Sequence, residues 1–367
     1  MRGSAWGALL VMCALGMGAG GCAAETAAAG PEVALRVEAV VYGGDDRQDY
    51  FAHPDAATRE LAASSGVALI DRRLLEAMPD GEVRYPTETF GELYDLCEGE
   101  RFTEQPSLAH CSGTLVEDDL VLTSAHCLDV VPCEELQLVF GFLYREEGEL
   151  APMMRDNVYG CSTVEAEQRR DPSGREVDHA WIRLDRPVSG ARRPARIHVG
   201  DEPLARGEPL TVIGFSAGLP LKIDSGAEVV DARGSTLDFF RADSDTFHGS
   251  SGSGVFDREG RLRGVLARGA DDYIQVHADC TSVRSDENDV IEQREEATYV
   301  ARAIDALCDG DGAARELCAA HAAADAIGPI ARVTACAGVP GVPSGSGTAA
   351  AAGLLLTLAM LRRRRAA

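Results

Sequence analysis

Short apolar runs separated by polar turns dominate the middle of this chain. Residues 113–116, 120–124, 136–142, 180–184, 210–215, 254–256 and 261–267 are each apolar enough for a strand, and glycine or aspartate punctuates the gaps. Two earlier runs, 33–41 and 66–70, have the same character, while 59–63 is briefly helical. Between 71 and 105 the chain is charged and loop-like, with Tyr85, Phe90 and Tyr94 as packing points. A different period takes over near the end. Ala297, Val300, Ala301, Ile304 and Leu307 recur at helical spacing and predict an amphipathic helix over 292–308. Many short strands with few helical periods predict an antiparallel barrel or sandwich, not an α/β fold.

Both termini break the pattern. Arg2 is followed by an apolar stretch from Ala5 to Met17 and then by small residues, which predicts a secretory signal peptide over 1–22. Its Gly20-Gly21-Cys22 ending resembles a bacterial lipoprotein signal, which would leave Cys22 lipidated; cleavage near Ala23 or Ala24 is the alternative. Residues 23–35 are Ala-rich and predict a low-complexity tether. The folded domain is expected over 36–308, followed by an Ala/Gly/Pro-rich linker over 309–347. The last segment, 348–367, is an apolar helix ending in an arginine cluster. Its 14 apolar and small residues, 348–361, fall short of what spans a bilayer, which is roughly 20 residues. Arginines 362–365 would stay on the cytoplasmic side. The whole tail resembles the C-terminal sorting tails of myxobacterial surface proteins, a plain single-span anchor being the alternative. A membrane contact is therefore expected through the tail and through Cys22.

Charge and cysteine content narrow the class. Acidic residues number 59 against 35 basic ones, a net charge of −24. That argues against a nucleic-acid partner, since phosphate binding needs a basic patch. Eleven cysteines suit an oxidising compartment and an exported chain. Neither Cys-x-x-Cys nor His-Glu-x-x-His spacing occurs, so no metal is expected.

Three short motifs carry chemistry. Cys111-Ser112-Gly113-Thr114 precedes Thr123-Ser124-Ala125-His126-Cys127, and a turn at 117–119 would bring Cys111 beside Cys127, within reach of a disulfide next to the histidine. Val177-Asp178-His179-Ala180-Trp181 is an acid leading into an apolar strand, with Asp185 as the competing carboxylate and His179 as a polar neighbour. The third is Asp245-Thr246-Phe247-His248-Gly249-Ser250-Ser251-Gly252-Ser253 before an apolar strand. A serine hydroxyl is a weak nucleophile at its free pKa and needs a neighbouring base. Its glycines allow a tight turn that aims the Gly249 and Ser251 N–H groups at one spot, an oxyanion hole. Ser250 and Ser253 compete for the nucleophile, and Ser251 alone has the Gly-x-Ser-Gly frame.

The histidine block and the serine block, in the order His–Asp–Ser, resemble chymotrypsin-like serine peptidases, the serine block being similar to the bacterial glutamyl-endopeptidase branch. The resemblance covers roughly 36–308 and implies two packed six-stranded antiparallel β-barrels with a C-terminal helix. It implies a monomeric, cofactor-free endopeptidase acting on proteins or peptides, with His126 and Asp178 from one barrel and Ser251 from the other. It also implies a substrate pocket around Asp245, Thr246, His248, Leu266, Ala267 and Gly269. A carboxylate at Asp245 on the pocket floor would favour arginine or lysine; the alternative is a solvated loop residue. Leu266 stands where the glutamyl branch carries a histidine, which argues against glutamate preference. Ser250 replaces the aspartate that pairs with a freed amino terminus in trypsin-type enzymes. The run Val41-Tyr42-Gly43-Gly44 resembles the trypsin activation site but lies 85 residues before His126 (126 − 41). Activation through that pair is not expected. Two other functions fit the same residues: a surface binding or adhesion protein on a decayed peptidase scaffold, and an esterase.

Overall fold

A strand covered on both faces is a continuous apolar run, and Gly66–Asp71 is one: Val67, Ala68, Leu69 and Ile70 are all fully buried. It lies in a closed antiparallel barrel that runs Val158–Arg170, Glu176–Leu184, Leu120–Thr123, Cys111–Glu117, Gly66–Asp71, Leu136–Val139 and back to the first strand. This is a computed structural model, and it describes residues 41–269, 272–277, 280–286, 294–310 and 316–333. The expected signal peptide, Cys22, the tether, most of the 33–41 strand and the 348–367 tail lie outside the described residues. Among the described residues no helix is long and apolar enough to cross a membrane.

Side chains alternate across each barrel strand. Ile182 and Leu184 point inward with Val67, Leu69, Leu115, Val121 and Leu138. Trp181 points outward and is buried against the helix Val300–Asp309, its indole Nε1 donating to Ala303 O at 2.7 Å. Burying the ring while satisfying its one donor is the favourable way to spend a tryptophan on a packing face.

The second layer is a nine-stranded half-barrel. Its path runs Val229–Asp231, Phe239–Ala242, Glu295–Tyr299, Arg261–Arg268, Gly254–Phe256, Thr211–Gly214, Lys222–Asp224 and Arg47–Asp49, with Arg196–Ile197 paired to Arg261–Arg268 off that path. The two-barrel, all-β architecture expected from the sequence is thus present, with one difference. The second sheet stays open among the described strands, with Arg47–Asp49 paired on the outer edge of Lys222–Asp224. Covering an edge with another strand is one way to remove its unpaired backbone groups.

The helix expected over 292–308 is corrected. Glu295–Tyr299 is a strand held between Phe239–Ala242 and Arg261–Arg268, and the helix begins at Val300. Ala297 and Tyr299 face the core of the second sheet, whereas Val300, Ile304 and Leu307 face the layer between sheet and barrel. The apolar spacing therefore bridged two elements. Within the expected 309–347 linker, Glu316–Val333 is helical and is tied to the preceding helix by Cys308–Cys318. The 71–105 segment is also more ordered than expected. Thr89 and Glu92 form a reciprocal cap on the short helix Phe90–Leu93. Cys97–Cys280 fastens this segment to the hairpin Tyr273–His277/Cys280–Val283.

Candidate active site

His126 follows the strand Leu120–Thr123 and opens the helical turn Cys127–Val130. Its backbone is fixed from both sides. Cys127 is joined to Cys111 by a disulfide, and the Ser124 hydroxyl donates to Leu266 O at 2.7 Å. Asp178 meets it from the neighbouring strand Glu176–Leu184. Asp178 Oδ2 lies 2.8 Å from His126 Nδ1, and Oδ1 accepts the His126 backbone N–H at 3.2 Å. One carboxylate thereby orients both the ring and the main chain of the histidine. Burial pushes the Asp178 carboxyl up, but the hydrogen bond and charge of His126 outweigh it and leave the carboxyl below its usual range. The competing Asp185 is exposed and pairs with Arg186 instead. His179 is fully buried on the opposite side of the strand, and burial lowers its imidazole to about 4, so it stays neutral. Cys111, His126 and Cys127 form a grouping compact enough for a metal, but the two sulfurs are joined to each other.

Ser251 comes from the second layer, in the turn before Gly254–Phe256. Of its two competitors, Ser250 and Ser253 are both buried, while Ser251 is half-exposed and lines a cavity. The backbone N–H groups of this turn are almost all used. Phe247 N donates to Ser250 Oγ, His248 N to Asp272 Oδ2, Ser250 N to Phe247 O, Gly252 N to Leu266 O and Ser253 N to Ser250 O. Among the described residues, Gly249 N and Ser251 N have no such acceptor. Two neighbouring open donors, one of them the N–H of the serine itself, are what an oxyanion site requires. The Ser112 hydroxyl donates to Gly249 O at 2.8 Å, and Ser112 N donates to Ser251 O at 2.8 Å, so the histidine-bearing barrel holds the serine turn directly. His126 and Ser251 share no hydrogen bond among the described residues; such contacts are often long before substrate binds.

The cavity beside Ser251 has a volume of about 360 Å³. Thr246, His248, Leu266, Ala267 and Gly269, all expected in the pocket, line it. Asp245 does not, and this corrects the expected pocket floor. Its oxygens accept the backbone N–H groups of Tyr42 at 2.9 Å and Asp46 at 2.6 Å, and its own N–H donates to Asp224 at 2.8 Å. The N-terminal segment has claimed this carboxylate. Two acids that sequence reasoning did not place are in the lining instead: Asp272 and the buried Glu295, which accepts the Thr246 hydroxyl at 2.7 Å. A side chain at Gly269 would collide with the Glu295 carboxylate, so that glycine keeps the acid in the pocket wall. Strand alternation of Glu295 with Ala297 and Tyr299 was the available signal; Asp272 carried none.

Asp245 and Asp224 give this region a pH signature. Burial, then the Asp224 charge, push Asp245 up to about 7, despite the N–H groups of Asp46 and Tyr42; burial pushes Asp224 up to about 6. Both folded values exceed the unfolded value of about 3.9. The fold therefore prefers the protonated acids, and their contribution is complete below about pH 4 and lost as pH rises through 6 to 7. The urea midpoint should fall over that window, and Asp245→Asn should flatten the fall. An unchanged slope in the variant would refute this assignment.

Residues 111–265 match the family model of the trypsin-like peptidase domain. A trypsin of Sarcophaga bullata is 26% identical over 114 residues, covering 30% of this chain and 42% of that protein. The factor V activator of Macrovipera lebetinus is 26% identical over 117 residues, covering 31% of this chain and 41% of that protein. The chain thus spans about two-fifths of the length of these curated relatives. Among solved structures, the Vibrio cholerae VesB protease aligns with a TM-score of 0.43 at 15% identity, over 72% of this chain and 66% of that one. The scabies mite inactivated protease paralogue S-D1 aligns with a TM-score of 0.43 at 14% identity, over 73% of this chain and 96% of that one. The segment that supplies His126, Asp178 and Ser251 is similar to the trypsin-like peptidase domain of serine peptidases.

Proposed function

We propose that this protein is an exported serine endopeptidase that prefers a cationic residue before the scissile bond. The observation that carries the reading is the cavity-lining Ser251, whose own N–H and that of Gly249 are open, on a turn held by the barrel that carries His126 and its orienting Asp178. In the proposed mechanism Ser251 Oγ attacks the peptide carbonyl carbon while His126 Nε2 takes its proton. The carbonyl oxygen becomes an oxyanion that accepts from Gly249 N and Ser251 N. Asp178 stabilises the imidazolium, which then protonates the leaving amine as the C–N bond breaks. A water molecule repeats the sequence on the acyl-enzyme and frees the acid product and the serine.

The pocket chemistry supports the substrate class. Arg268 lines the cavity, but its Nε donates to Glu296 at 2.9 Å, outside it. Glu295 and Asp272 leave the lining acidic, which suits a lysine or arginine side chain through charge-assisted hydrogen bonds. Four disulfides, Cys97–Cys280, Cys111–Cys127, Cys133–Cys161 and Cys308–Cys318, support an oxidising compartment.

A fluorophosphonate probe should label the wild-type protein at Ser251, and Ser251→Ala should not be labelled. A peptide library cut by the wild type should show lysine or arginine before the cleaved bond. Labelling at another residue would overturn the assignment of the nucleophile. Absence of labelling in the wild type would favour a binding protein on a peptidase scaffold.

A further inference from the structure

Ser216 and Ser250 are both buried, and their hydroxyl oxygens lie 2.7 Å apart. Neither belongs to the chemistry described above. Ser250 sits between the two residues that offer the open N–H groups, and its hydroxyl also accepts the Phe247 N–H at 3.2 Å. Ser216 belongs to a tight loop, Ser216–Gly218, on the far side of the turn. The next residue, Ala217, donates its N–H to His248 O at 2.6 Å. In a planar trans peptide the C=O and N–H point in opposite directions. The bond from Ala217 to His248 O therefore turns the Gly249 N–H away from the loop, leaving it open beside Ser251 N.

Ala217 pays for that position in backbone strain: it has φ 55° and ψ 23°, a left-handed conformation uncommon for a residue with a side chain. Such strain persists only where the surroundings over-determine it. Here Gly218 N donates to Phe215 O, Leu219 N to Ser216 O, and the Ser107 hydroxyl to Ala217 O. The Ser112 hydroxyl closes the frame, accepting Phe215 N at 2.9 Å while donating to Gly249 O.

We infer that Ser216 and Ser250 are positioning residues: their hydroxyl pair clasps the loop to the serine turn and so sets the Ala217–His248 contact that orients the oxyanion donors. The clasp is made of neutral groups, so the turn is held without a buried charge. This inference rests on the peptidase reading for its kinetic test, but not for its structural one. Ser216→Ala and Ser250→Ala should each lower kcat about tenfold, with KM for the same peptide changed less than twofold. The double variant should be no slower than the slower single variant, because both remove one shared bond. Hydrogen exchange at the Ala217 amide should accelerate in each variant, while amides in Gly66–Asp71 and Arg261–Arg268 keep their protection. Unchanged kcat in both single variants, losses that multiply in the double, or unchanged exchange at Ala217 would each overturn it. If the wild type neither cleaves peptide nor accepts the phosphonate, the enzyme reading fails, and the exchange measurement alone decides the clasp.

Discussion

Asp178→Asn is expected to lower kcat by about 10⁴ at neutral pH while the protein still folds and binds substrate. The size follows from geometry. Asp178 accepts two bonds from His126, one from the ring and one from the main chain. An asparagine of the same shape can still accept the main-chain N–H with its carbonyl oxygen. Its amide nitrogen then faces Nδ1 and donates to it, which places the imidazole proton on Nε2. That nitrogen can no longer take the proton of Ser251. Loss of one hydrogen bond alone would cost about tenfold, so the size of the fall separates a wrong tautomer from a weakened contact. Stopped-time peptide hydrolysis with active-site titration reads it; a fall under tenfold would show that Asp178 does not set the tautomer.

Gly252→Ala should have the largest effect on stability. Gly252 has φ +87°, and a Cβ there would run into Ser112 O and Thr123 Oγ1. Neither can yield cheaply. Ser112 O belongs to a barrel strand and is already bonded to the Thr123 hydroxyl at 2.7 Å, and Gly252 N is bonded to Leu266 O at 2.7 Å. Backbone strain plus overpacking is expected to cost about 3 kcal/mol or more. The adjoining Ser251 should be displaced, and phosphonate labelling lost. Gly174 is the control, with φ +86° and open space around it. Gly174→Ala should lose only about 1 kcal/mol. Equal urea midpoints for the two variants would show that the collision is absorbed.

The strands that were legible in sequence are those whose side chains are buried: Leu120–Thr123, Gly254–Phe256 and Arg261–Arg268 announce themselves as apolar runs. Val158–Arg170 did not, although it is the longest of the described strands, because only Tyr159 along it is buried. Its extension past Val164 is imposed by pairing with Glu176–Leu184. The same distinction holds in the site. His126, Asp178 and Ser251 sit in local patterns that specify their own turns and strands. Which acid faces the pocket is a tertiary matter. Asp245 and Glu295 are both buried, and only the path of Val41–Asp49 across the second sheet decides that Asp245 is occupied elsewhere. The guanidinium of Arg47 in that segment lies 3.7 Å from the centre of the Phe247 ring, under the serine turn. No pattern near residue 245 carries that information.

The Cys97–Cys280 bond joins positions 183 residues apart, and His126, Asp178 and Ser251 all fall between them. Exposed turns such as the one at 171–174 are the places where proteolytic cuts begin. A chain opened once anywhere inside this covalent ring loses no fragment. Both ends stay anchored, one through Cys97 and the other through Cys280, and the noncovalent sheets hold the cut edges in register. The bond therefore makes a single nick survivable.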